Sequence, residues 1–256
     1  MPETTGVRPY TVALLADIHG NLDAFEAVLA DMAHQPHDAV VIAGDHLVMG
    51  PHPAQTLARL RELDVPTIFG NTDRGVVEGR SHSPLVTWTR EQIGEAGIAY
   101  LESLPFSHHI TPPQQTSPEA DLFVVHATPT SVYPVLILEA NADSPLSQNV
   151  TLEEEAAKLL GATRANLIVF GHIHYASSRT ISGQRVASIG SVGFPFDGDP
   201  RAAYALASWD GTQWQLEHRR VAYDRERTIE AIQRSGQPQA SWAIQVLREA
   251  QFVRPS

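Results

Sequence analysis

An α/β fold of two stacked sheets flanked by helices is what the sequence predicts, on three observations. Short apolar runs alternate with stretches of helical period in the first part of the chain. A series of strands with hairpin signals follows. Polar clusters of Asp, Asn, Gly and His stand where five of the strands stop.

The run 11–16 is short and apolar, ends in Asp17-Ile18-His19-Gly20-Asn21, and precedes Leu22, Phe25, Val28 and Leu29 at helical spacing. This reads strand, loop, helix. The pattern repeats with strand Ala39–Ala43, a break at Gly44-Asp45, and helix Pro53–Leu63 carrying Leu57, Leu60 and Leu63 on one face. A third strand, 66–69, ends in Gly70-Asn71-Thr72-Asp73. Such alternation predicts a largely parallel sheet with a site in the crevice its strand ends share. Helical stretches at 83–92 and 94–103 come next, and 106–111, 121–125, Leu167–Phe170, 178–181, Gln184–Ile189, Ala202–Trp209 and 213–223 read as strands. Hairpin signals stand at Ser182-Gly183 and Asp210-Gly211. The Pro-, Gln-, Ser- and Thr-rich stretch 111–120 is a surface loop. Residues 127–150 show little regular period before a helix beginning near Thr151, and loops of this length are usually lids, binding loops or mobile segments. Helices at 225–234 and 238–251 close the chain, the second opening on Pro238, where a first helical turn tolerates proline. No internal repeat or linker is visible, so residues 1–256 are expected to form one domain.

Composition narrows the function. The 256 residues are 43% hydrophobic, and a chain this long buries about three quarters of its unfolded surface without disulfides or a structural metal. The 18 basic and 29 acidic residues leave a net charge of −11, which disfavours general nucleic-acid binding and anionic membrane surfaces. The apolar stretch 12–16 is too short for a signal-peptide core or a membrane span, so a cytoplasmic location is expected. Without cysteine, thiol catalysis, thiolate zinc sites and iron–sulfur clusters are excluded, while 12 histidines leave imidazole plus carboxylate as metal chemistry.

The clusters at the strand ends are Asp17-Ile18-His19, Gly44-Asp45, Gly70-Asn71, His126, and Gly171-His172-Ile173-His174. Residues two apart on an extended chain point the same way, so Asp17 with His19, and His172 with His174, are expected to converge. A lone histidine is more often an ordinary hydrogen-bonded residue than a ligand. Five clusters in register are another matter, because burying so many Asp, Asn and His groups is costly unless they are paired or coordinated. A shared metal site accounts for them together.

In this order the motifs resemble those of the calcineurin-like metallophosphoesterases, with the spacing of the small bacterial and archaeal phosphodiesterase-like branch. The motifs run from Asp17 to His174, and Gly190-Ser191-Val192-Gly193 with Asp197-Gly198-Asp199-Pro200-Arg201 extends the likeness to about residue 205. The resemblance implies a four-layer αββα sandwich with two mixed sheets. It also implies one metal ion held by Asp17, His19, Asp45 and His174, and a second held by Asp45, Asn71, His126 and His172, so that Asp45 bridges. Asp17, Asp45, Asn71 and His172 are then the residues expected closest to the chemistry. Two divalent ions against two ligand carboxylates leave a charge of about +2, which attracts phosphate to an acidic protein. Ions ~3.5–4 Å apart hold a hydroxide for in-line attack. Nitrogen and oxygen ligands without sulfur favour Mn, with Fe, Zn, Co or Ni as alternatives.

One position departs from the family pattern. Many members have a histidine after Gly-Asn that assists the leaving group; here it is Thr72. A threonine hydroxyl is a poor general acid. The departure favours substrates whose leaving group is already a weak base, such as an aryl oxide or a polyphosphate. His46, next to Asp45, is a candidate replacement or a structural residue. Substrate contacts are expected from Asn21, Asp73 and Arg74, each with a plainer alternative: helix capping for the first two, a solvated surface for the third. Arg201 reads as a turn and ion pair. Phe196 stands where relatives of this branch often have Arg, leaving a stacking surface. Tyr133, Leu136 and Ile137 offer a lid over the organic part of a substrate, a dimer contact or local core. The expected function is hydrolysis of a small phosphodiester or nucleotide phosphoanhydride. A protein serine/threonine phosphatase and a non-catalytic metal or nucleotide sensor are the alternatives, and a homo-oligomer stays open.

Overall fold

The computed structural model describes residues 8–79, 83–139 and 149–254. In chain order the elements are β1 (Tyr10–Leu15), α1 (Leu22–Met32), β2 (Ala39–Ala43), α2 (Pro53–Leu63), β3 (Thr67–Ile68), α3 (Asn71–Glu78), α4 (Pro84–Ser103), β4 (Ser107–Ile110) and β5 (Leu122–Val125). They continue with α5 (Glu153–Leu160), β6 (Leu167–Phe170), β7 (Ala176–Ile181), β8 (Gln184–Ile189), β9 (Ala202–Trp209), β10 (Trp214–Val221), α6 (Arg225–Ser235) and α7 (Ala240–Glu249).

Two five-stranded mixed sheets result, ordered β10-β9-β1-β2-β3 and β4-β5-β6-β8-β7. In the first, β1, β2 and β3 run parallel, β9 is added antiparallel to β1, and β10 antiparallel to β9. In the second, β5, β6 and β8 are parallel, with β4 and β7 antiparallel at the edges. The near-continuous apolar character of β1 follows from burial on both faces. Val12 and Leu14 join Leu122, Val124, Val169 and Ala187 of the other sheet in one core. Ala13 and Leu15 turn the other way, into the cluster containing Phe25 and Val28 of α1. The expected four layers follow: helices, sheet, sheet, helices.

Two expectations change. The last helix starts at Ala240 rather than at Pro238, because Gln239 is left-handed (φ 60°) and interrupts the turn. The two expected helices 83–92 and 94–103 are present, following one another under the label α4 with non-helical backbone at Gly94 (φ 61°, ψ −177°) between them. Leu136 and Ile137 do not form a lid; both are buried in the main core, and Ile137 bonds Thr151 in both directions. Their burial leaves Tyr133 and Val135, 44% and 55% exposed, as the exposed large apolar side chains among the described residues of that loop. Residues 140–148 of the expected loop lie outside the described residues. No helix among the described residues is long and apolar enough to cross a membrane.

Candidate metal centre

The polar clusters follow the C-terminal ends of β1, β2 and β3 in one sheet and of β5 and β6 in the other, so sheet stacking brings them together. The first two loops are zipped by backbone bonds: Asp17 N to Gly44 O at 3.0 Å, His19 N to Asp45 O at 3.0 Å, and Gly20 N to His46 O at 2.8 Å. Gly171 N donates to His126 O at 3.0 Å, joining the last two. Convergence does not arise from extended chain ends. Asp17, His19, Asp45, His172 and His174 all have φ between 53° and 64°, the left-handed region that Asp and His tolerate better than most residues. His172 and His174 accordingly reach different partners.

His174 joins Asp17 and His19, with donor atoms within 4.8 Å of one another; Asp17, Asp45 and His126 form a second such group. Asp45 reaches both sides, Oδ2 lying 3.7 Å from His19 Nε2 and Oδ1 3.4 Å from His126 Nε2. Asn71 Oδ1 stands 3.0 Å from His126 Nε2 and 2.8 Å from His172 Nδ1. All seven expected ligands therefore meet in one place.

Hydrogen bonding on the far side of each ring fixes where the lone pairs are. Carbonyl oxygens only accept, so the nitrogens facing them carry the protons. His19 Nδ1 donates to Val48 O (2.7 Å), His174 Nδ1 to Phe194 O (2.5 Å), His126 Nδ1 to Ala43 O (2.8 Å) and His172 Nε2 to Tyr133 O (3.2 Å). Burial lowers the pKa of all four rings, to about 4 for His126 and His172, which keeps them neutral. Each ring therefore turns a bare lone pair inward, and the Nε2 atoms of His19 and His174 face each other at 3.0 Å with no proton between them.

Asp17 adds two buried carboxylate oxygens that lack a well-formed hydrogen bond. Burial, then the charge of Asp45, raise its pKa well above the carboxylate range, and the backbone N–H of His172 offsets only part of this. Asp45 is raised by burial too. Converging neutral imidazoles, an amide oxygen, the Asp17 carboxylate and the Asp45 carboxylate, whose Oδ1 accepts the Thr72 backbone N–H, form a set dominated by acceptors. That donor set fits divalent transition-metal ions, and ring protons held by backbone carbonyls are the usual outer support of histidine ligands.

Gly70 is required where it stands, since a Cβ there would lie 2.1 Å from Asp45 Oδ1 and 2.7 Å from His126 Cε1.

The calcineurin-like phosphoesterase superfamily domain model matches residues 11–212, most of the chain and every residue of this cluster. The chain belongs to that superfamily. An uncharacterized protein of Methanocaldococcus jannaschii is 26% identical over 249 residues, covering 89% of this chain and 94% of its own. Among solved structures, a hypothetical protein of Pyrococcus horikoshii has a TM-score of 0.74 at 20% identity, covering 95% of this chain and 100% of its own. A metallophosphoesterase of Sphaerobacter thermophilus has a TM-score of 0.66 at 22% identity, covering 94% and 99%. These two likenesses establish the fold.

The residues expected to contact substrate have the surroundings that their plainer alternatives describe. Asp73 is fully buried and accepts from three backbone N–H groups, Asp45 (2.8 Å), His46 (3.1 Å) and Gly70 (2.9 Å), so it holds two ligand loops together and, as its plainer alternative has it, caps α3. Asn21 is likewise buried; it caps α1 through Ala24 N (3.2 Å) and donates to Gly193 O (2.8 Å). Arg74 is half-exposed, pairs with Glu78 at 2.8 Å and lies over the Phe69 ring. Arg201 pairs with Asp199, as its turn context suggests. His46 is buried with Nε2 donating to Ile68 O at 3.0 Å. Thr72 donates its backbone N–H to Asp45 Oδ1 at 2.9 Å, and its buried hydroxyl has no hydrogen-bond partner. Phe196 stacks on the His174 ring at 4.1 Å, 20° from parallel. Sequence reasoning misses the four carbonyls that fix the rings, because backbone atoms leave no residue-type signal; only the stacking role of Phe196 was hinted at by its aromatic type.

Proposed function

We propose that the chain is a metal-dependent phosphoesterase that hydrolyses a small phosphodiester or nucleotide phosphoanhydride, with the whole chain acting as one unit. The carrying observation is the inward ring of lone pairs with the unpaired Asp17 carboxylate, a site electrostatically incomplete without cations. Asp17, His19, Asp45 and His174 would hold one ion, and Asp45, Asn71, His126 and His172 the other, with Mn preferred among the transition metals. When bound, such ions polarise a phosphoryl oxygen and acidify a water molecule.

The chain's own residues determine the rest. Carbonyls of Val48, Phe194, Ala43 and Tyr133 keep each imidazole in its donor-ready tautomer. Asp73 fixes the backbone on both sides of Asp45 and at Gly70, which sets the reach of the shared carboxylate. Thr72 supplies no proton near neutral pH, and His46 is committed to Ile68. Hydrolysis then depends on the leaving group departing unaided.

The test compares Mn-loaded protein on a p-nitrophenyl phosphodiester, a dinucleoside polyphosphate and an alkyl phosphomonoester. Turnover of the first two well ahead of the third, lost on chelation and in Asp45→Asn, is expected. Turnover that survives chelation contradicts the metal reading, and equal rates on alkyl and aryl substrates contradict the leaving-group reading.

A further inference from the structure

The family match ends at residue 212, yet the segment beyond it touches the loops of the site at three places. Tyr223 Oη accepts from Asn21 Nδ2 at 3.1 Å, and Thr228 Oγ1 donates to Asn21 Oδ1 at 3.2 Å, holding the loop that carries Asp17 and His19. Gln237, buried, donates through Nε2 to Met49 O at 2.7 Å; the preceding residue, Val48, receives the His19 Nδ1 proton. The tail after α7 secures the third: Gly198 N donates to Ala250 O at 2.9 Å, and Phe252 packs edge-on against Phe196 at 5.6 Å. Phe196 is the ring stacked on His174.

All three contacts fall on one half of the centre, that of Asp17, His19 and His174. The far side of the other half is supported from within the matched region: Ala43 O behind His126, Tyr133 O behind His172, and Asp73 beneath Asp45 and Gly70. The division is chemical as well as spatial. A histidine whose ring is free to tilt loses its lone-pair direction, and outer supports of a metal ligand are worth roughly 10–100-fold in metal affinity.

We infer that the segment after residue 212 is a clamp that positions one half of the metal centre, with Phe252 and Gln237 as its positioning residues for His174 and His19. The inference rests on the two-position reading proposed above. It makes the two ion positions separately sensitive: the Asp17/His19/His174 position depends on the C-terminal segment, and the Asn71/His126/His172 position does not.

The experiment is calorimetric titration of the metal-free full chain with Mn²⁺ alone. Wild type establishes two uptake steps. His172→Ala then isolates the clamped position and His19→Ala the other, and Phe252→Ala and Gln237→Leu are each introduced into both backgrounds. The expected result is affinity weakened by roughly 10-fold in the His172→Ala background and unchanged in the His19→Ala background, with Phe252→Leu restoring most of the loss. Weakening in both backgrounds, or in neither, overturns the inference while leaving two-ion binding intact. Wild-type protein that takes up no Mn²⁺ overturns the two-position reading and the inference with it.

Discussion

Asp17 is the residue on which stability and function pull apart. Its two buried oxygens have no well-formed donor, and the nearest ring nitrogens, His174 Nε2 at 3.6 Å and His19 Nε2 at 4.0 Å, are themselves acceptors. Burying an uncompensated carboxylate is destabilising, whereas an amide at the same place can donate to those lone pairs. Asp17→Asn is therefore expected to raise stability in the presence of chelator, by about 1–3 kcal/mol in urea unfolding, and to lose the stabilisation that Mn²⁺ gives the wild type. A substituted protein less stable than wild type in chelator would show that Asp17 is satisfied without a cation. At this scale the sequence was most informative: seven ligand candidates stood out by residue type and by position at strand ends, and the structure brings them together. For Asn21 and Asp73 the capping alternative is the one the structure shows, and residue type could not choose it, because side-chain type does not reveal what a carboxylate or amide faces. Both turn inward to backbone groups of neighbouring loops that are remote in sequence.

Between elements, the same inward use of charge ties α1 to the antiparallel strands β9 and β10. Asp31 at the end of α1 accepts from Tyr204 Oη at 2.6 Å and from Arg219 Nε at 3.1 Å. Burial works against the ionised form, but the Tyr204 and Arg219 bonds outweigh it and hold the Asp31 carboxyl below its ordinary range. A folded-state pKa below the unfolded one stabilises the protein above the unfolded value of about 3.9, and that contribution is lost as pH falls through the depressed folded value. Urea midpoints measured against pH should show an acid-side decline that Asp31→Asn makes shallower; parallel curves would remove Asp31 from the acid response. Elements themselves were legible where period and punctuation agreed, as in β1, α2 and the hairpin strands. They were not where single backbone torsions decide. The left-handed Gln239 that delays α7, and the left-handed ligands at the strand ends, depend on loop closure between distant segments. Leu136 and Ile137 resembled a lid because their core partners lie elsewhere in the sequence.

For the molecule as a whole, the net charge is −11, and on the proposed reading two divalent ions would outweigh the ligand carboxylates and make the centre itself attractive to phosphate. The order of motifs made the family and the stacked-sheet fold readable from sequence, because parallel strands deliver their C-terminal ends to one edge. The contacts of the C-terminal segment were not readable, since they are made by uncharged side chains, backbone carbonyls and aromatic packing rather than by charged motifs. The central claim is that one acceptor-rich cluster holds two cations through a shared Asp45. Anomalous diffraction from crystals of the full chain grown with Mn²⁺ tests it most directly. The account predicts two peaks about 3.5–4 Å apart, one contacted by Asp17, His19 and His174, the other by Asn71, His126 and His172, and both by Asp45. A single peak, or two peaks of which Asp45 touches only one, would contradict it.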